Sequence, residues 1–227
     1  MVTAELHAIA RKMVARNKGI LAADESNATM SKRLDSINVA STPESRRQWR
    51  QLLFQTQGIG DFISGVIMYD ETIRQSDDSG KRFVELLAMS DILSGIKVDK
   101  STHDLAGAPG EFITEGLDGL RDRLADYYSM GARFAKWRAL LTVGDGRPSD
   151  YAIHTNAHAL GRYAILCQEQ GLVPIVEPEI LMDGVHNIDD CLLATKRSLT
   201  VVFEELVAQS VDLSGICLLY TSDAADE

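Results

Sequence analysis

The sequence predicts an α/β fold in which parallel strands curl into an incomplete barrel. Three observations carry this expectation. Six short apolar segments, at 19–26, 63–70, 93–100, 132–141, 172–181 and 212–218, have the length of buried strands. Helical patterns lie between most of them, so the order reads βαβαβ with parallel neighbours. Finally, several strands carry charged residues at alternate positions, which only a shared interior can accommodate.

The elements follow in chain order. Met1 opens a charged amphipathic stretch that ends before the first strand. Thr42-Pro43 supplies an N-cap and a first-turn proline for a helix whose apolar positions are Trp49, Leu52, Leu53 and Phe54. In the third strand Lys97 and Asp99 share one face and Ile96 and Val98 the other. In the fourth, Lys136 and Arg138 stand together, opposite Ala135 and Trp137. Ser149 can cap a helix carrying Ile153, Leu160, Tyr163, Ala164 and Cys167, which Gly171 can close. The fifth strand sets Glu177 and Glu179 on one face, and Pro178, which cannot donate to a ladder, marks its carboxyl end. A further helix starts at or near Asp189 and ends near Gln209. Segments 75–80 and 144–148 read as polar turns.

Composition narrows the partners. With 23 basic and 33 acidic residues in 227, a formal charge of -10 argues against nucleic acid or an anionic membrane as the main partner. A few converging Lys and Arg side chains could still hold a phosphorylated substrate. Cys167, Cys191 and Cys217 are scattered and odd in number, which fits reduced thiols. The opening residues lack a signal-peptide core and the chain has no long apolar run, so a cytoplasmic protein is expected. His154 and His158 stand four apart on one helix, but neither a following Glu nor a third ligand accompanies them, and no metal site is expected.

Four runs carry the chemistry: Leu21-Ala-Ala-Asp-Glu-Ser26, Gly95-Ile-Lys-Val-Asp-Lys100, Phe134-Ala-Lys-Trp-Arg138 and Val176-Glu-Pro-Glu-Ile180. Together they closely resemble the class I fructose-1,6-bisphosphate aldolases, over about residues 1–216. The resemblance implies a TIM (β/α)8 barrel of which about six of the eight strands are present. It also implies carbon–carbon bond cleavage through a lysine Schiff base, with a phosphorylated sugar as partner and no cofactor. Intact family members are often homotetramers.

By that resemblance Lys136 flanks the nucleophile and helps form and dehydrate the carbinolamine, and Glu177 is the general acid/base, with Glu179 as its hydrogen-bonded neighbour. Asp24 takes or orients the proton of the substrate's C4 hydroxyl, and Lys97 and Arg138 hold polar and phosphate groups. Thr29, where the family has serine, approaches the C6 phosphate with Lys32 and Arg33.

One departure is large. The family's sixth strand ends in Leu-Leu-Lys-Pro-Asn, and a gapless continuation from Val211-Asp-Leu-Ser-Gly-Ile216 puts Leu219 where the nucleophilic lysine belongs. Residues 217–227 contain no lysine and are read as a non-family tail, such as read-through into adapter or vector DNA leaves. The chain itself is therefore expected to be inactive. The alternative from a different class is a non-catalytic phosphosugar-binding or interaction fragment.

Overall fold

The computed structural model describes residues 2–220. Helix α1 (Val2–Met13) leads into strand β1 (Gly19–Ala23), helices α2 (Asn27–Asp35), α3 (Pro43–Phe54) and α4 (Ile59–Phe62), and strand β2 (Ile63–Met68). Helices α5 (Asp70–Ile73) and α6 (Phe83–Met89) precede β3 (Leu93–Lys97), β4 (Thr102–Asp104) and β5 (Phe112–Thr114). Then come α7 (Leu120–Met130), β6 (Phe134–Leu141), α8 (Asp150–Glu169), β7 (Val173–Ile180), α9 (Ile188–Ala208) and β8 (Cys217–Leu218). Among the described residues, six strands form one sheet in the order β1-β2-β3-β6-β7-β8, each neighbouring pair parallel. This curled sheet, flanked by helices, is the incomplete TIM barrel expected from the sequence, with β1 and β8 at its two ends.

Local chemistry sets the boundaries. Thr42 and Ser45 form a reciprocal capping box with Pro43 in the first turn of α3, and the Ser149 hydroxyl accepts the Ala152 N–H at 3.1 Å. Asn187 caps α9, which starts at Ile188, next to the expected Asp189. Strand β1 stops at Ala23, short of the expected 26, because Ser26 turns away to cap α2 and accepts the Thr29 N–H at 3.2 Å. The 212–218 segment is mostly not strand. Asp212 caps a 3-10 turn at Leu213–Gly215, leaving only Cys217 and Leu218 to pair with Ile175 and Val176. The antiparallel β4–β5 hairpin, which contains His103, was not anticipated by the alternation pattern. Of the tail 217–227, residues 221–227 lie outside the described residues.

The strands bury two different faces. Their outward side chains, such as Val66, Ile96, Trp137 and Val176, pack with α6, α7 and α8, and the Trp137 and Tyr163 rings lie 5.5 Å apart. The inward face begins apolar: Ile67, Phe134, Val173 and Ile175 meet Leu6, Ile9 and Met13 of α1, which plugs that end. Gly95 has no Cβ because the Phe134 ring occupies the space one would fill. In α3 the apolar pattern misplaces one position: Leu52 is exposed, and the buried residues are Arg50 and Phe54.

Candidate active site

Two residues further along each strand, the inward face changes character. Lys97 and Lys136 are register partners on β3 and β6, and Arg138 is opposite Glu177 on β7. Like charges side by side on a sheet repel, so anions must offset them. They do: the Lys136 ammonium lies 3.7 Å from an Asp24 carboxylate oxygen and 3.5 Å from one of Glu177, and Lys136 and Glu177 are fully buried. Arg138 donates from Nε to the Glu179 carboxylate, itself buried. Pro178 sits within the ladder opposite Ala139, two residues before the end of β7, so this layer is at the carboxyl end of the strands.

The layer opens into a cavity of about 480 Å³. Asp24, Thr29, Lys97 and Arg138 line it, together with Tyr69 and Asp99. Tyr69 has no role in the sequence reading, where it falls inside the expected 63–70 strand; β2 ends one residue before it. Lys32 and Arg33 lie apart from the lining. Lys32 is exposed on α2, whereas Arg33 is half-buried and donates to Glu25 at 2.5 Å. Glu25 also pairs with Arg50 at 2.8 Å, and this buried network had no sequence expectation beyond the identity of Glu25.

Other candidates are occupied elsewhere. His158 meets Glu205 at 3.1 Å, and the His154 Nδ1 is 2.8 Å from the Asp150 carbonyl oxygen. Burial pushes the Cys167 and Cys217 thiols up, away from thiolate chemistry.

Leu219 faces the interior. Cys217 and Leu219 pack on the inner apolar cluster, the Leu219 N–H donates to the Val176 carbonyl at 3.0 Å, and the register brings residue 219 beside Glu177. An apolar cavity of about 370 Å³, lined by Ile20, Ala22, Ile175 and Leu219, separates this end of the sheet from β1.

Comparison with known proteins decides the family. The family model described as fructose-bisphosphate aldolase class-I matches residues 5–222. The chain belongs to the class-I fructose-bisphosphate aldolase family. A probable class 1 fructose-bisphosphate aldolase from Xanthomonas campestris pv. campestris is 52% identical over 214 residues, 94% of this chain and 64% of that protein. Fructose-bisphosphate aldolase 4, cytosolic, of Arabidopsis thaliana is 52% identical over 216 residues, 95% of this chain and 55% of its own. The fructose-bisphosphate aldolase of Plasmodium falciparum superposes with a TM-score of 0.94 at 47% identity, covering 96% of this chain and 63% of that one. The chain thus spans somewhat less than two thirds of the length of these aldolases.

Proposed function

We propose that the charged layer and its cavity are the sugar-phosphate site of a class I fructose-bisphosphate aldolase. The reaction is the reversible cleavage of fructose 1,6-bisphosphate into dihydroxyacetone phosphate and glyceraldehyde 3-phosphate, a step of glycolysis and gluconeogenesis. The observation that carries the reading is the buried Lys136 ammonium, within 4 Å of both Asp24 and Glu177, of which Asp24 also lines the cavity walled by Lys97 and Arg138. Cytosolic naming among relatives supports a cytoplasmic setting.

The chemistry needs an electron sink at the substrate's C2. A lysine amine adds to that ketone, loses water and becomes an iminium. The C4 hydroxyl proton then leaves to Asp24, the C3–C4 bond breaks, and its electron pair moves into the iminium to form an enamine. Glu177 exchanges the protons that carbinolamine formation and dehydration require, and Lys136 supplies the adjacent positive charge. Glu179, bonded to Arg138, fixes that guanidinium where it can receive a phosphate or hydroxyl. Thr29, Lys32 and Arg33 approach the C6 phosphate, Arg33 by leaving its bond to Glu25.

In this chain Leu219 stands where the amine is required, and residues 217–227 contain no lysine. The polypeptide as it stands binds the sugar phosphate without turning it over. The test is trapping with dihydroxyacetone phosphate and borohydride, read by intact mass and peptide mapping. The Leu219→Lys variant should acquire the adduct at position 219, and the parent none. A specific adduct on Lys136 or Lys97 of the parent would overturn its inactivity. An unmodified but folded Leu219→Lys variant would overturn the placement of the nucleophile.

A further inference from the structure

We propose that Arg50 is a positioning residue for Asp24, gripping the main chain on both sides of the aspartate; this rests on the aldolase reading of the same cavity. Asp24 follows the last residue of β1, where the ladder to β2 ends at Ala23 and Met68. The Asp24-Glu25 stretch runs between that ladder and the cap of α2. Arg50 comes from α3 and is 2% exposed. Its Nε donates to the Ala23 carbonyl at 2.8 Å, and its Nη2 donates to the Glu25 carbonyl at 3.2 Å. The same Nη2 lies 2.8 Å from the Glu25 carboxylate, which Arg33 holds from its other oxygen at 2.5 Å.

One rigid guanidinium therefore fixes the carbonyls before and after Asp24. A planar fork transmits position in a way that a single flexible ammonium cannot. The consequence is at the other end of the aspartate, where its carboxylate stands 3.7 Å from the Lys136 ammonium. The same carboxylate must meet the substrate's C4 hydroxyl, and a shift of about 1 Å decides whether that proton transfer is geometrically available. Arg50 is absent from the cavity lining, so it acts through Asp24 and does not touch substrate. Burying an arginine is costly unless it is paired and bonded; here Nε and Nη2 serve the Asp24 flank and Glu25, while the buried Nη1 makes no hydrogen bond among the described residues.

The test is a double-mutant cycle on fructose 1,6-bisphosphate affinity, measured by calorimetry on the full chain, with Arg50→Lys and Asp24→Asn singly and together. Arg50→Lys should weaken binding about tenfold when Asp24 is present and leave it unchanged in the Asp24→Asn background. Equal losses in the two backgrounds would make Arg50 a merely structural residue and overturn the proposal. Arg50→Gln, which keeps an amide donor, replaces the lysine variant if that fails to fold. A parent chain that does not bind the bisphosphate would defeat the aldolase reading on its own. The clamp is then decided in the free chain by hydrogen exchange. Amides of Asp24, Glu25 and Ser26 should exchange about tenfold faster in Arg50→Lys, with α8 amides unchanged, and unaltered exchange at those three would overturn it.

Discussion

The two ends of the barrel interior are built from the same strands and differ by a step of two residues. At one end β6 contributes Phe134 and β7 contributes Ile175, sealed by α1; at the other, the same strands contribute Lys136 and Glu177. The first strand repeats the change, from Ala22 within β1 to Asp24 just past its end. Because side chains of alternate residues share a face, a strand can spend its first inward positions on burial and its last on charge. The apolar end stabilises the sheet that holds the charged end in place. The charged end tolerates burial only because its cations and anions meet.

Breaking the apolar end should have the largest effect. Phe134 is fully buried against Gly65 and Gly95, whose missing side chains leave room only for that ring. Phe134→Ala opens a cavity that backbone glycines cannot fill, and should cost about 3–5 kcal/mol in urea unfolding. A loss below about 1 kcal/mol would mean the interior collapses freely, and the division into two ends would lose its mechanical basis.

The charged end should respond differently. Lys136→Met leaves two buried carboxylates, Asp24 and Glu177, without the ammonium between them, and should cost about 3 kcal/mol at neutral pH. Adding Glu177→Gln removes one of those charges and should recover at least about 1 kcal/mol, whereas no second change of this kind rescues Phe134→Ala. Additive losses in the double variant would show that the charged layer is not coupled.

Much of this division was legible in the sequence. Alternation put Lys136 with Arg138 and Glu177 with Glu179, and parallel pairing then had to bring them together. Arg50 was not legible, because an arginine in a helix reads as solvated until the carbonyls it serves are located across the fold. The β4–β5 hairpin was missed because its strands are three residues each, too short for a period to show. The 3-10 turn before β8 was hidden for another reason: Asp212 and Ser214 supply turn chemistry inside what otherwise reads as an apolar approach to a strand.

The smallest effect should come from the wet rim of the charged end, and it separates burial from charge as the cause of the larger ones. Glu71, at the start of α5, accepts two bonds from Arg46 at 2.8 and 2.7 Å, and these hold its carboxyl below the ordinary value despite partial burial. A carboxylate whose folded value is depressed stabilises the protein above its unfolded value of about 4.3, and that contribution is lost as the pH falls through the folded value. Glu71→Gln should therefore cost about 1 kcal/mol at neutral pH, lowering the melting temperature by roughly 2–4 °C, because the pair keeps some solvent. The gap between variant and parent should narrow as the pH falls below about 4.3 and close once the folded parent's Glu71 is protonated as well. A penalty as large as that of Lys136→Met would indicate that ion pairing alone sets the cost. The expected contrast of about 3 against 1 kcal/mol instead assigns the excess to the dry interior that the apolar end maintains around Lys136.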